Sequence, residues 1–550
     1  MKHVSAEEAI AAAAVASGVK VAAGYPGSPS TDAMEAFARY ASDLPVHVEW
    51  SANEKTALDV ALGAAIAGAR SMVFLKSVGM NVAADSLLSA NMTGVDAGCV
   101  ILLGDDPGAW KSQNEQDTRW MALFSELPLL EPTTADAAPG MVEAAFALSE
   151  RCHIPVFLRI TRSLGESRVA LAEEPTWTER PLADFKREHL KWVVMTANVT
   201  EYHNRLIGHL EQMKADFCES PLNRVDGDSS TGVIACGFTY SKLRDVIGDA
   251  DHALFAVLGL ATINPLPEKL LVGFLQDRKQ VIVLEENEPI VETQVKALIG
   301  QHHLPVDCHG KTAGELPHAG ELFRAHIAPA LKRICPSFEP AGEFPASAEE
   351  KETPTKGGFC EGCPHAATLT VLRKAIEEAR LPQQPIICGD PGCMVKGLWP
   401  PFQMLDIKLA MGCSIGLAKG VAHARQGHPV IALVGDSSFF HTGVNNLINA
   451  AHNRAPITII VLHNSTVALT GQQSHPGSGT DILGRKTPTQ EIENIVRACG
   501  IERVATMDPH DGDRAKATLT DALRSGDLSV VVSRAPCRKL EDNCASREVE

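Results

Sequence analysis

Pro429-Val-Ile-Ala-Leu-Val-Gly-Asp-Ser437 and Ile457-Thr-Ile-Ile-Val-Leu-His-Asn-Ser-Thr466 decide the reading of this chain. Each opens on an apolar run, Pro429 to Val434 and Ile457 to Leu462, whose length suits a strand buried on both faces. Thr442 to Asn453 reads as a helix, so the stretch predicts a βαβ unit. Polar residues follow each run: Gly435, Asp436 and Ser437 after the first, His463, Asn464 and Thr466 after the second. Both clusters therefore fall at the carboxyl ends of parallel strands, where open α/β sheets bind ligands. A carboxylate (Asp436), an amide oxygen (Asn464) and a main-chain carbonyl nearby (Thr466) form a hard oxygen set. Such a set suits Mg²⁺, which takes its other ligands from phosphate and water, so a diphosphate is implied.

The spacing fits the motif that binds thiamine diphosphate: Gly-Asp at one strand end, a helix, then Asn at the next strand end. A Gly-Asp pair and a distant Asn also arise by chance in most large α/β proteins. Met411-Gly-Cys-Ser-Ile-Gly416 and Ala468-Leu-Thr-Gly-Gln472 strengthen the case, because they look like glycine-lined walls of one pocket. Gly412, Ser414, Ile415, Leu469 and Thr470 are accordingly candidate cofactor-binding residues.

At 550 residues the chain exceeds what one hydrophobic core organises, and three domains are expected. A composition 45% hydrophobic but only 5% aromatic favours helix-covered parallel sheets over a β sandwich. The fold class expected is α/β, with three doubly wound parallel-sheet domains. The first spans residues 1–185; it opens with a capping box, Ser5-Ala-Glu-Glu8, and holds strands at Lys20 to Ala23, Met72 to Leu75, Val100 to Gly104 and Ile154 to Arg159. The second spans 186–335, with Glu219 to Thr231 as a polar connector and strands at Gly232 to Cys236, Ala253 to Val257 and Gln280 to Leu284. Residues 336–356 read as an exposed linker, and 357–550 form the third domain.

A net charge of −17 argues against nucleic acid or an anionic membrane as a partner. With no signal-peptide pattern or apolar span, a cytoplasmic protein is expected. Fourteen cysteines are too sparse for a disulfide scaffold, yet five fall between Cys360 and Cys413, which in a reducing compartment suggests metal or redox work. One option is a Cys₄ zinc site of Cys360, Cys363, Cys388 and Cys393; Cys388 and Cys413 also read as small buried hydrophobes. Cys99, Cys152, Cys218, Cys236, Cys308, Cys335, Cys499 and Cys544 have no ligand-like pairing and read as packing residues.

Several longer stretches carry a resemblance: Gly24-Tyr-Pro-Gly-Ser-Pro-Ser-Thr31, Glu49-Trp-Ser-Ala-Asn-Glu-Lys55, Gly104-Asp-Asp-Pro-Gly108 with Ser112-Gln-Asn-Glu-Gln-Asp117, Cys360-Glu-Gly-Cys-Pro-His365 and Gly435-Asp-Ser-Ser-Phe-Phe-His441. Over nearly its whole length the chain resembles the large subunit of indolepyruvate ferredoxin oxidoreductase, within the pyruvate:ferredoxin oxidoreductase superfamily. The resemblance makes the first domain pyrimidine-binding, the second a transketolase C-terminal-like domain and the third diphosphate-binding, in a homodimeric core. It implies oxidative decarboxylation of an aryl 2-oxoacid (indolepyruvate, phenylpyruvate or phenylglyoxylate type) with CoA to an acyl-CoA.

By that resemblance Glu54 holds N1' of the cofactor's aminopyrimidine; read alone, it would be a solvated helix charge. His365 is placed to donate to a diphosphate oxygen at the start of the helix Ala366 to Glu378. Cys360, Cys363, Cys393 and Cys537 match the positions that hold a proximal [4Fe-4S] cluster, with Cys388 an alternative third ligand. Ser28, Ser30 and Thr31 are expected to face the substrate carboxylate, and Arg119 is a weaker candidate for it. Turn chemistry alone also accounts for the hydroxyls. His463 stands where relatives carry an acidic residue. No ferredoxin-like cysteine runs follow Cys537, so a smaller subunit (beta/gamma type) and a ferredoxin-like or flavin electron-transfer partner are expected. Two rivals remain: a non-oxidative thiamine diphosphate-dependent decarboxylase or acyloin synthase, which needs no cluster, and a catalytically silent scaffold protein.

Overall fold

Parallel pairing dominates because strand after strand is apolar on both faces and is followed by a covering helix. The computed structural model describes residues 2–171, 173–182, 185, 190–248, 254–345 and 358–540. The chain divides into two compact units, Met1–Glu49 with Glu54–Pro354, and Trp50–Asn53 with Thr355–Glu550.

The first unit holds two large sheets. One has seven strands in the order Thr262–Asn264, Leu129–Leu130, Val156–Thr161, Cys99–Asp105, Ser71–Lys76, Val21–Gly24 and His47–Trp50. The other has five: Asp307–His309, Gln280–Leu284, Thr231–Cys236, Ala256–Leu260 and Arg224–Asp226. Only half of the expected capping box is present at the start of this unit: the Glu8 N–H donates to Ser5 Oγ at 3.1 Å, while the Glu8 carboxylate accepts from Lys2 and Tyr40 instead. The expected first and middle domains share this unit because Thr262–Asn264, from the middle segment, pairs antiparallel with Leu129–Leu130 at the edge of the seven-stranded sheet.

Three middle-segment expectations need correction. Glu219 to Thr231 is more than a connector, since Arg224–Asp226 pairs antiparallel with Ala256–Leu260. That partner strand begins at Ala256 rather than Ala253; Ala253 itself lies outside the described residues. The expected linker does not begin at Pro336: Phe338 is fully buried in the middle core and stacks edge-on against Phe255, ring centroids 5.2 Å apart. The linker's residues 346–356, and Cys544, lie outside the described residues.

The second unit is built on six parallel strands in the order Ile407–Lys408, Ile386–Gly389, Val430–Gly435, Thr458–His463, Ser529–Arg534 and Val504–Met507. One apolar cluster covers each face, under Pro364–Ala379 and Gly512–Arg524 on one side and under Ser414–Ala424 and Val444–His452 on the other. The helix expected from Thr442 starts at Val444, preceded by a single π turn, Phe439–Gly443, that runs straight on from Asp436–Ser438. Single π turns inside helices occur often at functional sites. Among the described residues no helix is long and apolar enough to cross a membrane.

Within the first unit a buried ion network ties its two large sheets together. Arg159 donates from Nε to Asp105 and from Nη1 to Glu131, each at 2.7 Å. Arg119 donates from Nε and Nη2 to Asp117, from Nη1 to Glu285 at 2.6 Å, and from Nη2 to the Glu286 and Glu288 carbonyls. Burial pushes the Asp105, Glu131 and Glu285 carboxyls up. Burial acts on Asp117 too, but the two guanidiniums beside it win and hold it below the usual carboxylate range.

Breaking a buried network on one side leaves uncompensated charge, so Arg119→Met should lower stability by about 3–5 kcal/mol. The drop reads out as a shift in the denaturant midpoint of the full chain. A raised KM for the 2-oxoacid with an unshifted midpoint would return Arg119 to a substrate role.

Candidate cofactor and cysteine site

Three neighbouring strands of the six-stranded sheet, Ile386–Gly389, Val430–Gly435 and Thr458–His463, end side by side, and the residues just past them build the site. Asp436 is the hub. Its Oδ2 accepts from the Asn464 N–H at 2.9 Å and the Ser465 N–H at 2.8 Å, and lies 3.0 Å from His463 Nδ1. Its Oδ1 accepts from the Ser437 N–H at 2.8 Å. His475 Nδ1 accepts from the Gly477 N–H, which leaves the proton on Nε2, 3.2 Å from Asp436 Oδ2. Burial alone would raise Asp436, but His475 and His463 override it and hold the carboxyl far below its usual range.

Around this hub the predicted cofactor-binding residues are packed but polar. Gly412 takes φ +71°, and a Cβ there would sit 2.7 Å from the Gly443 N and 2.9 Å from the Ser438 carbonyl, so only glycine fits. The loop before the helix Ser414–Ala424 is fixed from three sides: Thr442 Oγ1 donates to the Met411 carbonyl, Asn446 Nδ2 to the Gly412 carbonyl, and the Ser414 N–H to Asp390 Oδ1. Ser414 and Ile415 are fully buried. Thr466 Oγ1 donates to the Gln473 carbonyl, Thr470 Oγ1 to Gln473 Oε1, and the Thr466 N–H to Asn464 Oδ1. These bonds fold residues 464–473 into a closed loop that leaves Leu469 exposed.

Buried polar atoms without hydrogen-bond partners collect here. Both ring nitrogens of His365 and the free oxygens of Asp390 (Oδ2), Ser414 and Ser438 (Oγ) lack partners among the described residues. Buried polar groups are normally paired, so this concentration marks space for a polar ligand. Burial pushes the His365 imidazole below its usual range, with Asp436 pulling the other way. Burial pushes Asp390 up to about 7 against the Ser414 and Gly412 N–H groups.

A cavity of about 140 Å³ lies beside them, lined by Cys360, Cys363, Cys393 and Cys537 together with His365, Asn464 and Leu469. Four thiols from three distant segments of chain thus meet at one place. The Cys393 thiol is pushed up to about 11 by burial, with Cys363, Cys537 and Cys360 adding to the rise and Lys396 opposing it. Cys388 is elsewhere: it is fully buried in the strand Ile386–Gly389, within an apolar cluster with Ile415 and Ala432. The zinc reading, which needs Cys388, therefore loses its fourth ligand. Among the described residues no three His, Cys, Asp or Glu groups are set to hold a single metal ion.

In the first unit Glu54 opens the helix Glu54–Ile66 and is buried, with only 6% of its surface exposed. A Cβ on Gly79 would lie 2.5 Å from its carboxylate, so Gly79 makes room for it. A helix N-terminus also favours a carboxylate there. Lys76, held down to about 8 by burial, feels both Asp106 and Glu54. Thr31 Oγ1 accepts from the Gly27 N–H at 2.7 Å and Ser30 Oγ donates to the Gly27 carbonyl at 2.8 Å, while Ser28 is half-buried. Arg119 is the correction: it is 1% exposed and every nitrogen of its guanidinium is already engaged in the ion network, so it presents no donor to a substrate. Asp390, Ser438, His441 and His475 were not anticipated. Asp390 carries the same signal as Asp436, a Gly-Asp step ending an apolar strand; Ser438 and His441 lie within the 435–441 stretch, and His475 carries no signal.

Two family models match. Residues 12–204 fit the pyruvate flavodoxin/ferredoxin oxidoreductase, thiamine diphosphate-binding model, and residues 390–533 the thiamine pyrophosphate enzyme C-terminal TPP-binding domain. The second begins on Asp390 and spans Asp436 to Thr466. Indolepyruvate oxidoreductase subunit IorA of Methanothermobacter thermautotrophicus is 38% identical over 536 residues, 96% of this chain and 86% of that protein. Its counterpart in Archaeoglobus fulgidus is 35% identical over 557 residues, 98% of this chain and 87% of that protein. A 2-oxoglutarate:ferredoxin oxidoreductase from Magnetococcus marinus, solved with 2-oxoglutarate, coenzyme A and succinyl-CoA bound, shares the fold at TM-score 0.51 and 17% identity, over 60% of this chain and 65% of that one. Relatives this similar across nearly the full length place the chain in the IorA family of indolepyruvate oxidoreductases, within the thiamine diphosphate-dependent 2-oxoacid:ferredoxin oxidoreductases.

Proposed function

We propose that this chain is the cytoplasmic catalytic subunit that oxidatively decarboxylates an aryl 2-oxoacid with CoA to an acyl-CoA and CO₂. It would pass the electrons through a [4Fe-4S] cluster to a partner subunit. The observation that carries the reading is the meeting of four thiols with His365 and Asn464 around one cavity beside the strand-end carboxylate. A non-oxidative decarboxylase or acyloin synthase has no use for thiols at that place.

Asp436, the Asn464 amide oxygen and the Thr466 carbonyl would hold Mg²⁺. Asp436 Oδ2 is crowded by two main-chain N–H groups and two imidazoles, whereas among the described residues Oδ1 accepts only from Ser437, so Oδ1 is the oxygen open to a cation. His365 has two unpartnered ring nitrogens in the first turn of the helix Pro364–Ala379, which suits donation to a diphosphate oxygen. Gly435, Ser437, Gly412 and Leu469 would form the walls. Thiamine diphosphate, when bound, supplies the nucleophilic carbon and the electron sink for loss of CO₂. Glu54, which is buried, would share a proton with the aminopyrimidine nitrogen, and Ser28 and Thr31 would face the substrate. Cys360, Cys363, Cys393 and Cys537 would hold the cluster, which supplies one-electron acceptance. The aryl preference and the smaller partner subunit follow from the named relatives, which are indolepyruvate oxidoreductase subunits.

Asp436→Ala should leave the six-stranded sheet folded but loosen the two strand ends it ties together, and weaken Mg²⁺-dependent thiamine diphosphate binding by more than roughly 100-fold, since even outer-shell partners cost 10–100-fold. Titration calorimetry reads it, and undiminished affinity would reject the site. Glu54→Gln should keep cofactor affinity but slow H/D exchange at the thiazolium C2 by about 10² to 10⁴-fold, the range of a lost proton-transfer group. Exchange at the wild-type rate would remove Glu54 from that role.

A further inference from the structure

We infer that Lys76 is the cation that binds the carboxylate of the 2-oxoacid substrate. That role rests on the 2-oxoacid reading of the function and fills the place that Arg119 leaves.

A 2-oxoacid arrives as an anion, and a chain of net charge −17 repels it unless a cation stands where it must bind. At the carboxyl edge of the seven-stranded sheet the neighbouring cations are committed. Arg119 pairs with Asp117 and Glu285, Arg159 with Asp105 and Glu131, Arg162 with Glu166 and Glu321, and Lys111 with Glu166. Lys76 differs: it forms no ion pair among the described residues, and its ammonium makes one hydrogen bond there, to the Lys111 carbonyl at 3.3 Å. An ammonium carries three donors, so two are left for a ligand.

Its place in the fold fits the same role. Lys76 is half-buried, ends the strand Ser71–Lys76 and stands just before the helix Ser77–Thr93. The strands Cys99–Asp105 and Val21–Gly24 flank it. The loop after Val21–Gly24 carries Ser28 and Thr31, and its Gly27 lies along the Lys76 stem, where a Cβ would come 2.7 Å from Lys76 Cδ. Glu54 packs on Gly79, in the first turn of the helix that Lys76 precedes. Lys76 therefore adjoins both the hydroxyl loop proposed for the substrate and the carboxylate proposed for the cofactor's pyrimidine. At the next two strand ends Asp106 Oδ1 and Thr161 Oγ1 are buried without hydrogen-bond partners among the described residues, so this edge has room for a polar ligand. Burial brings the Lys76 ammonium down to about 8, while Asp106 and Glu54 act to keep it charged. A charged ammonium that burial has stripped of water gains most from a carboxylate partner. The contact is non-covalent and ends when the carboxylate leaves as neutral CO₂, so it serves binding rather than the loss of CO₂ itself.

The test uses the assembled enzyme carrying Lys76→Met, which keeps a stem over Gly27 and removes the charge, beside Lys76→Arg, which restores it. With phenylpyruvate and indolepyruvate as substrates and methyl viologen as acceptor, KM and kcat are measured next to thiamine diphosphate affinity, H/D exchange at C2 and the denaturant midpoint. Lys76→Met should raise the 2-oxoacid KM about 10- to 100-fold, the worth of a hydrogen bond to a charged group, with kcat, cofactor affinity, C2 exchange and midpoint held. Lys76→Arg should recover most of the lost affinity. An unchanged KM in the folded Met variant would overturn the role, and so would an equal loss in the Met and Arg variants, which would make the side chain a packing element. Slowed C2 exchange or weakened cofactor binding at an unchanged KM would reassign Lys76 to Glu54 and the cofactor. A wild-type enzyme inert toward every 2-oxoacid would instead refute the proposed function and, with it, this role.

Discussion

The carboxylate of Asp436 is the constraint on which the second unit's site depends. It receives the main-chain N–H groups of Ser437, Asn464 and Ser465, and so locks the end of one parallel strand to the end of the next. Parallel strands leave their last N–H groups pointing past the sheet, and a single anion at the junction satisfies several of them at once. The two imidazoles of His463 and His475 keep that anion charged although it is buried. A neutral group there would lose the charge-assisted bonds and free both strand ends, so the loop 464–473 and the π turn 439–443 are positioned through this one side chain.

A second consequence is that polarity is stored unpaired around the hub. His365, Asp390, Ser414 and Ser438 sit buried with atoms that have no partner among the described residues, each at a cost of about 1–3 kcal/mol if left so. Such a cost persists only where packing elsewhere holds the groups in place, and here it does. His365 is fixed in the first turn of Pro364–Ala379, Ser414 heads Ser414–Ala424, and Asp390 ends the strand Ile386–Gly389, each anchored in one of the two apolar layers. A polar ligand binding there recovers the missing hydrogen bonds without rearranging the scaffold.

Much of this was legible in the amino-acid order. Continuous apolar runs at Val430 and Ile457 announced parallel strands, and Gly-Asp and His-Asn after them marked the strand ends at which the buried polar groups gather. Glycine at 412 was readable as a wall because nothing larger fits between the Ser438 carbonyl and Thr442. Tertiary pairing escaped the sequence. Arg119 lies just past Ser112 to Asp117, one of the stretches that carry the resemblance, yet its guanidinium folds back onto Asp117 and Glu285, a residue far along the chain that no local pattern points to. His475 likewise lies in a stretch with no periodicity, and only the folding of its loop brings it to the site. Phe338 shows the same limit, since a Pro- and Glu-rich stretch hid one aromatic that the middle core required.

The cysteines show why distance in sequence and chemistry in space must be weighed together. Cys388 is five residues from Cys393 and was the alternative third ligand, but a strand alternates its side chains, and at 388 that alternation turns the thiol into the apolar layer. Cys393 escapes this because the chain has left the sheet: Gly392, at φ +130°, turns it into a 3₁₀ segment that presents Cys393 and Lys396 to the same cavity. Cys537 arrives by the same route, past the end of the strand Ser529–Arg534, where its N–H donates to the Asn464 carbonyl at 3.1 Å. That main-chain bond ties the backbone at Cys537 to the backbone at Asn464. The residues proposed for the metal and those proposed for the cluster are therefore held by one framework, which suits a reaction in which electrons leave the cofactor for a group beside it.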